Sequence, residues 1–561
     1  FGVTIALLGG VSTYVAMLIV FALAVFVSKP AQLKKTVAML AIPVVLTAVT
    51  LVASYLPFAG GLSQMQANFP KEIQLPLATS WKVSASAFRD APFIGTGPAT
   101  YLFNFTSYKP LEFNQFDFWN FSFDTAYNEF LQVLGTLGIL GLISLFLLCL
   151  IVLNSARKNM SLDNAEATQE GHDGSNESAH VMLPALAISG LVSIVLLAIH
   201  ATTLVSIVTT LFILAAFMVS QKSVRGRVMK LSMGIKASTS ENKQFDLFPV
   251  LLFVAFLIAA VPVLIQTANT AMADYYHRQA LTQANQNGTK TYEFLQKAES
   301  ANPYIDLYRV DMAQTNFALA NALAAQKGPS AQNEKGSLTD ADKKTIQTLL
   351  SQSINESRAS VALSPRSSRN WEVLASIYRN ISGVAENALV YSLDSYGRAI
   401  QRDPLNPALR VNVGGIYYSI KNYDLAIRFF SDAANLKPDY ANAYFNLAIA
   451  LRDKGDLQNA KAVAEQAVKL LSENKETPDY KTASTLLTEL NKKIADSADE
   501  TPSQASSSAQ QQPTALENEN LEDVNVDGLD NAPSVTPAPT VRPNPAANLP
   551  QGINPTAAPR R

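Results

Sequence analysis

The chain divides into an apolar first half and a polar second half. Six stretches in the first half are apolar and about 20 residues long, the length that a bilayer core requires of a helix: 1–28, 36–56, 129–153, 181–199, 203–220 and 248–268. Each must be helical, because lipid offers no partner to free backbone N–H and C=O groups. A tight turn is predicted at 199–203. The pattern therefore predicts an all-α fold that begins with a polytopic membrane bundle of about six spans at 1–268.

Lysine and arginine in the connecting loops predict how the bundle is oriented, because cytoplasmic loops are enriched in both. Loops 29–35, 154–180 and 221–247 carry such clusters and alternate correctly as cytoplasmic. The long loop 57–128 then faces outward, as does everything after 268. Its positive charges are few: Lys71, Lys82, Arg89 and Lys109. A multi-pass protein of a cell membrane, with an extracytoplasmic C-terminal half, is expected.

The chain begins with Phe1, inside an apolar stretch and without a charged segment before it. A signal peptide is not indicated by this pattern. We expect a fragment whose N-terminal membrane helices are missing.

From about 270 onward, polar helices replace the apolar ones, and a 34-residue self-similarity relates 407–440 to 441–474. Small residues recur where two helices would approach closely, and large ones recur where neighbouring hairpins would meet. This pattern resembles the tetratricopeptide repeat. Arg410 stands where that family usually has Trp, and Ser472 where it has Pro.

Looser units of the same kind precede this pair. One unit contains Trp371 and has about five extra residues at its hairpin, and Pro303 and Pro365 close two more. We predict four or five helical hairpins within a repeat domain at 269–495, with a loop-like insert at 325–342. Such a stack binds a protein partner on its concave surface, or it serves as a rigid spacer. Residues 496–561 are too polar to form a core, and a disordered tail is predicted.

Composition excludes several functions. The net charge of −1 gives no indication of nucleic-acid binding. One cysteine, Cys149, excludes a disulfide framework, and the four histidines show no metal-ligand spacing. We therefore expect neither a metal nor a cofactor. A channel or pump is disfavoured, because the apolar stretches contain almost no ionisable residues.

The outward loop and the span that follows it carry the candidate chemistry. Their motifs are Trp81, the segment AFRDAP at 87–92, the turn Gly95-Thr96-Gly97-Pro98, and AYNEFLQ at 126–132 followed by GTLGILGL at 135–142. In this order the motifs resemble the C-terminal signature of the O-antigen ligase and O-antigen polymerase family of bacterial cell-envelope proteins. The resemblance implies a membrane glycosyltransferase that moves a glycan from a polyprenyl-diphosphate carrier to an acceptor hydroxyl.

Two positions depart from that family. Its Arg about four residues before the Trp is replaced by Leu77, and its His before the Asn is replaced by Tyr127, next to Asn128. A cation would stabilise the diphosphate leaving group, and a base would accept the acceptor's proton. Tyrosine is a poor base at neutral pH because its ordinary pKa is near 10.

Other residues of the loop can take over these roles. Arg89, helped by Lys82, can supply the cation, and Asp124 or Glu129 can supply the base. If 124–153 were one helix, Asp124 and Asn128 would share a face. Candidate catalytic residues are thus Arg89, Asp124, Glu129 and Tyr127, and candidate substrate-binding residues are Trp81, Lys82, Gly95, Gly97 and Asn128.

Simpler interpretations remain open for each of these residues. Arg89 can pair with Asp90 or a lipid headgroup, the carboxylates can favour a helix start, and Gly95 and Gly97 can be turn glycines with positive φ or a phosphate-binding nest. The many aromatic residues of 101–130 can form an interface belt, pack as a core, or line a site for sugar and prenyl groups. Two functions follow: a membrane glycan transferase with a partner-binding repeat domain, or an inactive membrane-anchored tetratricopeptide scaffold for envelope assembly.

Overall fold

The computed structural model describes residues 73–166, 186, 189–190, 192–199, 204–220, 234–235, 245–246, 248–328 and 336–499, with Ala22 and Val45 as single positions. The chain splits into two compact units, Phe1–Phe253 and Val254–Arg561. Helices dominate the described residues, which confirms the all-α prediction. Their one sheet is a minimal antiparallel ladder of β1 (Gly234–Ile235) and β2 (Phe245–Asp246), with Gly234 opposite Asp246.

The described residues of the first unit include four helices and one 3-10 turn. They are α1 (Leu77–Asp90), α2 (Tyr101–Tyr108), the 3-10 turn Leu111–Gln115, α3 (Glu129–Glu166) and α4 (Leu204–Ser220). Helix α5 (Phe248–Gln283) crosses into the second unit. Residues 192–199 are also helical.

Two helices of the described part are long and apolar enough to cross a membrane: Glu129–Asn154 within α3 and Val250–Gln283 within α5. They correspond to the predicted spans 129–153 and 248–268. A shorter apolar helix, Ser206–Met218, lies in the predicted span 203–220. The predicted spans 1–28 and 36–56 and the turn at 199–203 lie almost wholly outside the described residues, so about six spans stays a prediction.

The observed α3 and α5 differ from the predicted spans. Helix α5 continues to Gln283, fifteen residues beyond the predicted end at 268, because hydropathy marks only the apolar part of a helix and the polar sequence after it is also helix-forming. Helix α3 begins at Glu129, so Asp124 precedes it and the helical face expected for Asp124 and Asn128 does not form. Gly138, with φ 63° and ψ −156°, interrupts α3.

Ten helices follow in the described part of the second unit. They are α6 (Gly288–Ala301), α7 (Asp306–Lys327), α8 (Asp340–Leu363), α9 (Ser368–Asn380), α10 (Ala388–Arg402), α11 (Pro407–Ser419), α12 (Tyr423–Leu436), α13 (Ala441–Lys454), α14 (Leu457–Leu470) and α15 (Pro478–Asp499). Consecutive pairs α7–α8, α9–α10, α11–α12 and α13–α14 pack most extensively on each other. They are the predicted helical hairpins.

The 34-residue frame places one hairpin in each repeat, α11–α12 in 407–440 and α13–α14 in 441–474. Polar N-caps start several of these helices: the Asn406, Asn422 and Asp456 side chains each accept a hydrogen bond from a first-turn backbone N–H. Small residues sit at the close approach, as predicted. A Cβ at Gly414 would lie 2.6 Å from the Phe430 ring.

The looser hairpins also have helix ends where the prolines predict them. Helix α6 ends two residues before Pro303 and α8 ends two before Pro365, because proline does not continue a helix. The predicted insert corresponds to the gap between Lys327 and Asp340, within which 329–335 are not described. The predicted disordered tail begins at 496, but residues 496–499 are the end of α15. From 500 onward the tail lies outside the described residues.

Candidate functional site

Helix α1 runs alongside the start of α3, in the same direction. Three contacts in order along both segments establish this. The Tyr127 backbone N–H donates to the Ser80 hydroxyl at 2.9 Å, a Cβ at Gly135 would lie 3.3 Å from the Ser84 Cα, and the Ile139 N–H donates to the Pro92 carbonyl at 2.8 Å. The loop after α1 therefore lies beside residues 139–140, about ten residues into the apolar part of α3.

That loop and the interruption of α3 satisfy each other's backbone groups. The Ile139 and Leu140 amides donate to the Pro92 and Phe93 carbonyls at 2.8 and 3.2 Å, and the Gly97 amide donates to the Thr136 carbonyl at 2.8 Å. A helix broken at one residue leaves free amides and carbonyls. Here the loop supplies their partners.

Two glycines allow this close approach. Gly95 has φ 69°, and a Cβ there would lie 2.3 Å from the Thr136 carbonyl carbon. Gly138 has φ 63°, and a Cβ there would lie 2.6 Å from the Gly95 nitrogen and 2.8 Å from the Phe93 oxygen. Any side chain at either position would displace backbone atoms, so both must be glycine on steric grounds.

The predicted turn glycines thus have the expected positive φ, 69° for Gly95 and 112° for Gly97. Their amides donate to the Ala91 and Thr136 carbonyls. This arrangement gives both glycines a role in holding the loop against α3. Their role in binding a diphosphate stays a prediction.

A polar cluster joins the turn to α2. The buried Asn104 side chain donates to the Thr96 hydroxyl at 2.8 Å and to the Gly135 carbonyl at 3.3 Å. The Thr96 hydroxyl is also 2.6 Å from the Thr100 hydroxyl. These bonds fix α2 against the same interrupted segment of α3.

The hydrogen-bonded contact between 91–97 and 136–140 is called the glycine clamp below. The aromatic residues of 101–130 form a core next to it. Its buried members include Tyr101, Phe105, Phe113 and Phe123. Phe105 packs edge-on against Phe113, with ring centroids 5.1 Å apart. Packing is therefore the observed role of these rings, whereas Phe116 and Phe121 are exposed.

Ser80 connects that core to the start of α3. Its hydroxyl lies 3.1 Å from the Tyr101 hydroxyl and accepts from the Tyr127 amide. Burial raises the pKa of Tyr101, so the phenol stays neutral and can donate. The Gln74 side chain also donates to the Tyr127 carbonyl, at 2.8 Å.

The predicted residues on α1 lie at two different ends of that helix. Trp81 is exposed, and Lys82 pairs with Glu112 at 3.0 Å. Arg89 is exposed near the other end, and its Nη2 donates to the Ser86 hydroxyl at 3.3 Å. Eight residues separate Trp81 from Arg89, about 12 Å along a helix axis.

Near the start of α3, the predicted residues have mostly structural contacts. Asn128 caps the helix, since its Oδ1 accepts from the Leu131 amide at 3.0 Å, and its Nδ2 donates to the Ala198 carbonyl at 2.9 Å. Glu129 is half-buried in the first turn, and Asp124 is exposed in the preceding loop. The structure thus brings Tyr127 and Asn128 close to the Trp81 end of α1, whereas Arg89 lies at the far end.

Several important residues were not predicted from the sequence. Gly138 and Thr136 belong to the motif GTLGILGL at 135–142. Their contacts to the turn at 95–97 join positions about 40 residues apart, which a local pattern does not reveal. Ser80 and Asn104 gave no signal, because serine and asparagine in an amphipathic helix are ordinarily surface residues.

Family comparison agrees with the two-part prediction. Residues 1–146 match the family described as O-antigen ligase, and residues 441–472 match the tetratricopeptide repeat. The predicted fusion is confirmed. The first match contains α1, α2 and the interrupted part of α3.

Curated relatives match short segments. The chain is 33% identical over 69 residues to the probable UDP-N-acetylglucosamine–peptide N-acetylglucosaminyltransferase SEC of Arabidopsis thaliana, which covers 12% of this chain and 7% of that protein. It is 33% identical over 81 residues to the BBSome complex member BBS4 of Bos taurus, covering 14% and 16%. The chain spans less than a fifth of the length of these relatives.

Solved structures with detectable similarity include the MamA protein, at 16% identity and a TM-score of 0.27, covering 38% of this chain and 96% of that one. A thermophilic tetratricopeptide protein of Thermus thermophilus has the same identity and TM-score, with coverages of 40% and 99%.

Proposed function

We propose that this chain is part of a membrane glycan transferase of the O-antigen ligase type, with a repeat domain that binds a protein partner. The observation that carries the proposal is the family match over 1–146, whose motif residues fold into one clamped loop beside the apolar helix α3. The substrate is a glycan on a polyprenyl-diphosphate carrier within the bilayer. The loop faces the extracytoplasmic side.

The proposed reaction exchanges a glycosyl–diphosphate bond for a glycosidic bond. A carboxylate, Asp124 or Glu129, accepts the proton of the acceptor hydroxyl, and the resulting oxygen nucleophile bonds to the anomeric carbon. The bond from that carbon to the diphosphate breaks, and the diphosphate leaves with the electron pair. Arg89 stabilises its developing charge. Arg89 and Asp124 are both exposed. Because Arg89 lies at the end of α1 away from Tyr127, a donor that reaches both Arg89 and a base near Tyr127 has to extend along α1.

Replacement of Arg89 tests this proposal in cells. Arg89→Ala should abolish surface glycan assembly, while Arg89→Lys retains part of it because a positive charge remains. Ser86→Ala is the matched control, since it removes the hydrogen-bond partner of Arg89 within the protein and leaves the guanidinium in place. Unchanged glycan in Arg89→Ala, at equal protein levels in the membrane, would remove the enzymatic proposal.

The candidate bases are separated by isosteric changes. Asp124→Asn and Glu129→Gln each keep side-chain size and remove the ability to accept a proton. One of them should reduce transfer strongly while the other has little effect. If neither reduces it, the proposed base is wrong.

A second candidate is a scaffold without catalytic activity. Leu77 and Tyr127 stand where the family usually has Arg and His, and this specific observation favours it. Deleting 285–495 should abolish the function of a scaffold but only weaken a transferase. Comparing this deletion with Arg89→Ala in the same glycan assay distinguishes the two.

A further inference from the structure

The tip of the loop between α1 and α2 is apolar and exposed. Phe93 and Ile94 have relative exposures of 71% and 73%. Three backbone carbonyls beside them are paired, because the Ala91, Pro92 and Phe93 carbonyls accept from the Gly95, Ile139 and Leu140 amides. The tip therefore presents hydrocarbon while its nearby backbone carbonyls have partners.

The position of this tip along α3 gives its depth. The apolar part of α3 ends at Asn154, and a hydrocarbon core of about 30 Å takes up about 20 helical residues. Counted back from Asn154, the core begins near residue 135. The tip is hydrogen-bonded to Ile139 and Leu140, about 6 to 8 Å further in at 1.5 Å per residue.

The surface of α3 continues that of the tip. Most of its exposed side chains from the interruption inward are apolar, and they include Leu137, Leu140, Ile143 and Leu147. The exposed Ser144 hydroxyl donates to the Leu140 carbonyl at 2.8 Å. Charged residues lie on the other side of the tip, since Arg89 and Asp90 occupy the last turn of α1 before it. Irregular backbone is tolerated at membrane depth where protein covers it. Here α3 lies against one side of the loop and pairs the Pro92 and Phe93 carbonyls.

We propose that α1, the turn at 91–100 and α2 form a re-entrant hairpin whose tip, Phe93 and Ile94, is inserted among the lipid acyl chains at the outer edge of the bilayer. The occupant of this apolar surface is lipid, because the surface is continuous with the membrane-spanning part of α3. Arg89, one turn before the tip, is then held at the depth of lipid phosphates. That consequence rests on the proposed function: a diphosphate carried by a lipid would reach Arg89 without leaving the membrane plane.

Site-directed spin labelling of the full chain in vesicles of phosphatidylethanolamine and phosphatidylglycerol tests the insertion. Cys149→Ser removes the single native cysteine, and Ile94→Cys then carries the nitroxide. Phe121→Cys is the control, an exposed aromatic position ahead of the start of α3. Phe93→Cys provides a second tip position if Ile94→Cys does not fold.

Oxygen concentrates in hydrocarbon, whereas a neutral nickel chelate stays in water. The ratio of oxygen to nickel collision rates should be several-fold higher at position 94 than at position 121. A high nickel rate at 94 would place the tip in water and overturn the proposal. Low rates for both reagents would place it under protein, also overturning it. Since this readout involves no glycan transfer, the insertion and the proposed enzymatic activity can fail independently.

Discussion

The region made of α1, the turn at 91–100 and α2 and the repeat stack both contain helices. Different contacts hold the two regions together. In the stack, small side chains allow neighbouring helices to approach, as Gly414 does for Phe430. In the loop, backbone groups of distant segments bond directly to each other, as Gly97 does with Thr136. The first kind of contact recurs with the repeat and tolerates variation. The second occurs once, and small changes should disrupt it.

Gly138→Ala should have the largest effect. The new Cβ would lie within 2.8 Å of three backbone atoms and the residue would keep a positive φ, so we expect a loss of about 3 kcal/mol or more in the stability of the loop. Hydrogen exchange measured by mass spectrometry should show deprotection of 91–100 and 135–140. Unchanged protection in both segments would contradict the clamp.

Gly414→Ala should destabilise the repeat stack by about 2 kcal/mol, because the added methyl would lie 2.6 Å from a buried ring. Gly415→Ala is its matched control. It has open space around its Cβ position, so alanine should be neutral or slightly stabilising there. Hydrogen exchange in α11 and α12 measures both variants, and equal effects would refute the close-packing explanation.

Ser80→Ala should destabilise the loop by about 1 to 2 kcal/mol, since it leaves the Tyr127 amide and the Tyr101 hydroxyl without their shared partner. Ser86→Ala makes the same chemical change at a half-exposed position of the same helix and should cost less than about 0.5 kcal/mol. Exchange rates at 126–132 report the difference. A Ser80→Ala variant as stable as Ser86→Ala would show that these hydrogen bonds do not stabilise the loop.

Glu372→Gln should have the smallest effect, one that depends on pH. Burial, and after it the nearby Asp403 carboxylate, raises the pKa of Glu372 to about 7. Arg369 and Arg379 act in the opposite direction but do not cancel this rise. The folded state then holds a proton that the unfolded state releases near its ordinary pKa of about 4.3. Stability from this group is therefore present at low pH and falls as the pH rises toward 7.

The expected loss between pH 5 and pH 8 is about 1 kcal/mol, since the carboxyl is crowded by protein but retains partial access to solvent. Hydrogen exchange in α9 and α10 should show this loss in the wild type. Glu372→Gln should abolish it, and a variant with the same pH dependence would assign it to other groups. Exchange at 91–100 serves as an internal reference in the same samples, because Glu372 does not belong to that segment.

The repeat stack was largely predictable. Apolar and small positions recur every 34 residues, and Pro303 and Pro365 fall where helices end. The apolar length of α3 was also predictable, because hydropathy alone indicates a span. Its interruption at Gly138 was not, since an isolated glycine within an apolar run is compatible with an unbroken helix.

The candidate site was predictable only as a set of residue types. Sequence indicated that Trp81, Arg89 and Tyr127 belong to one loop, but their separation follows from the helical path of α1. The start of α3 at Glu129 similarly removed the expected face shared by Asp124 and Asn128. Local sequence patterns do not show where α3 begins. The Asn128 side chain caps α3 at its start, and Asp124 therefore lies before the first helical turn.

By itself, the sequence determined the division into an apolar part and a polar repeat stack, because burial of periodic apolar positions depends on residues a few places apart. Tertiary structure alone decided the clamp between 91–97 and 136–140, and the Ser80 bridge to Tyr127 across 47 positions. Hydrogen bonds between distant backbone groups leave no periodic trace in a sequence. Their position depends on how two helices lie against each other.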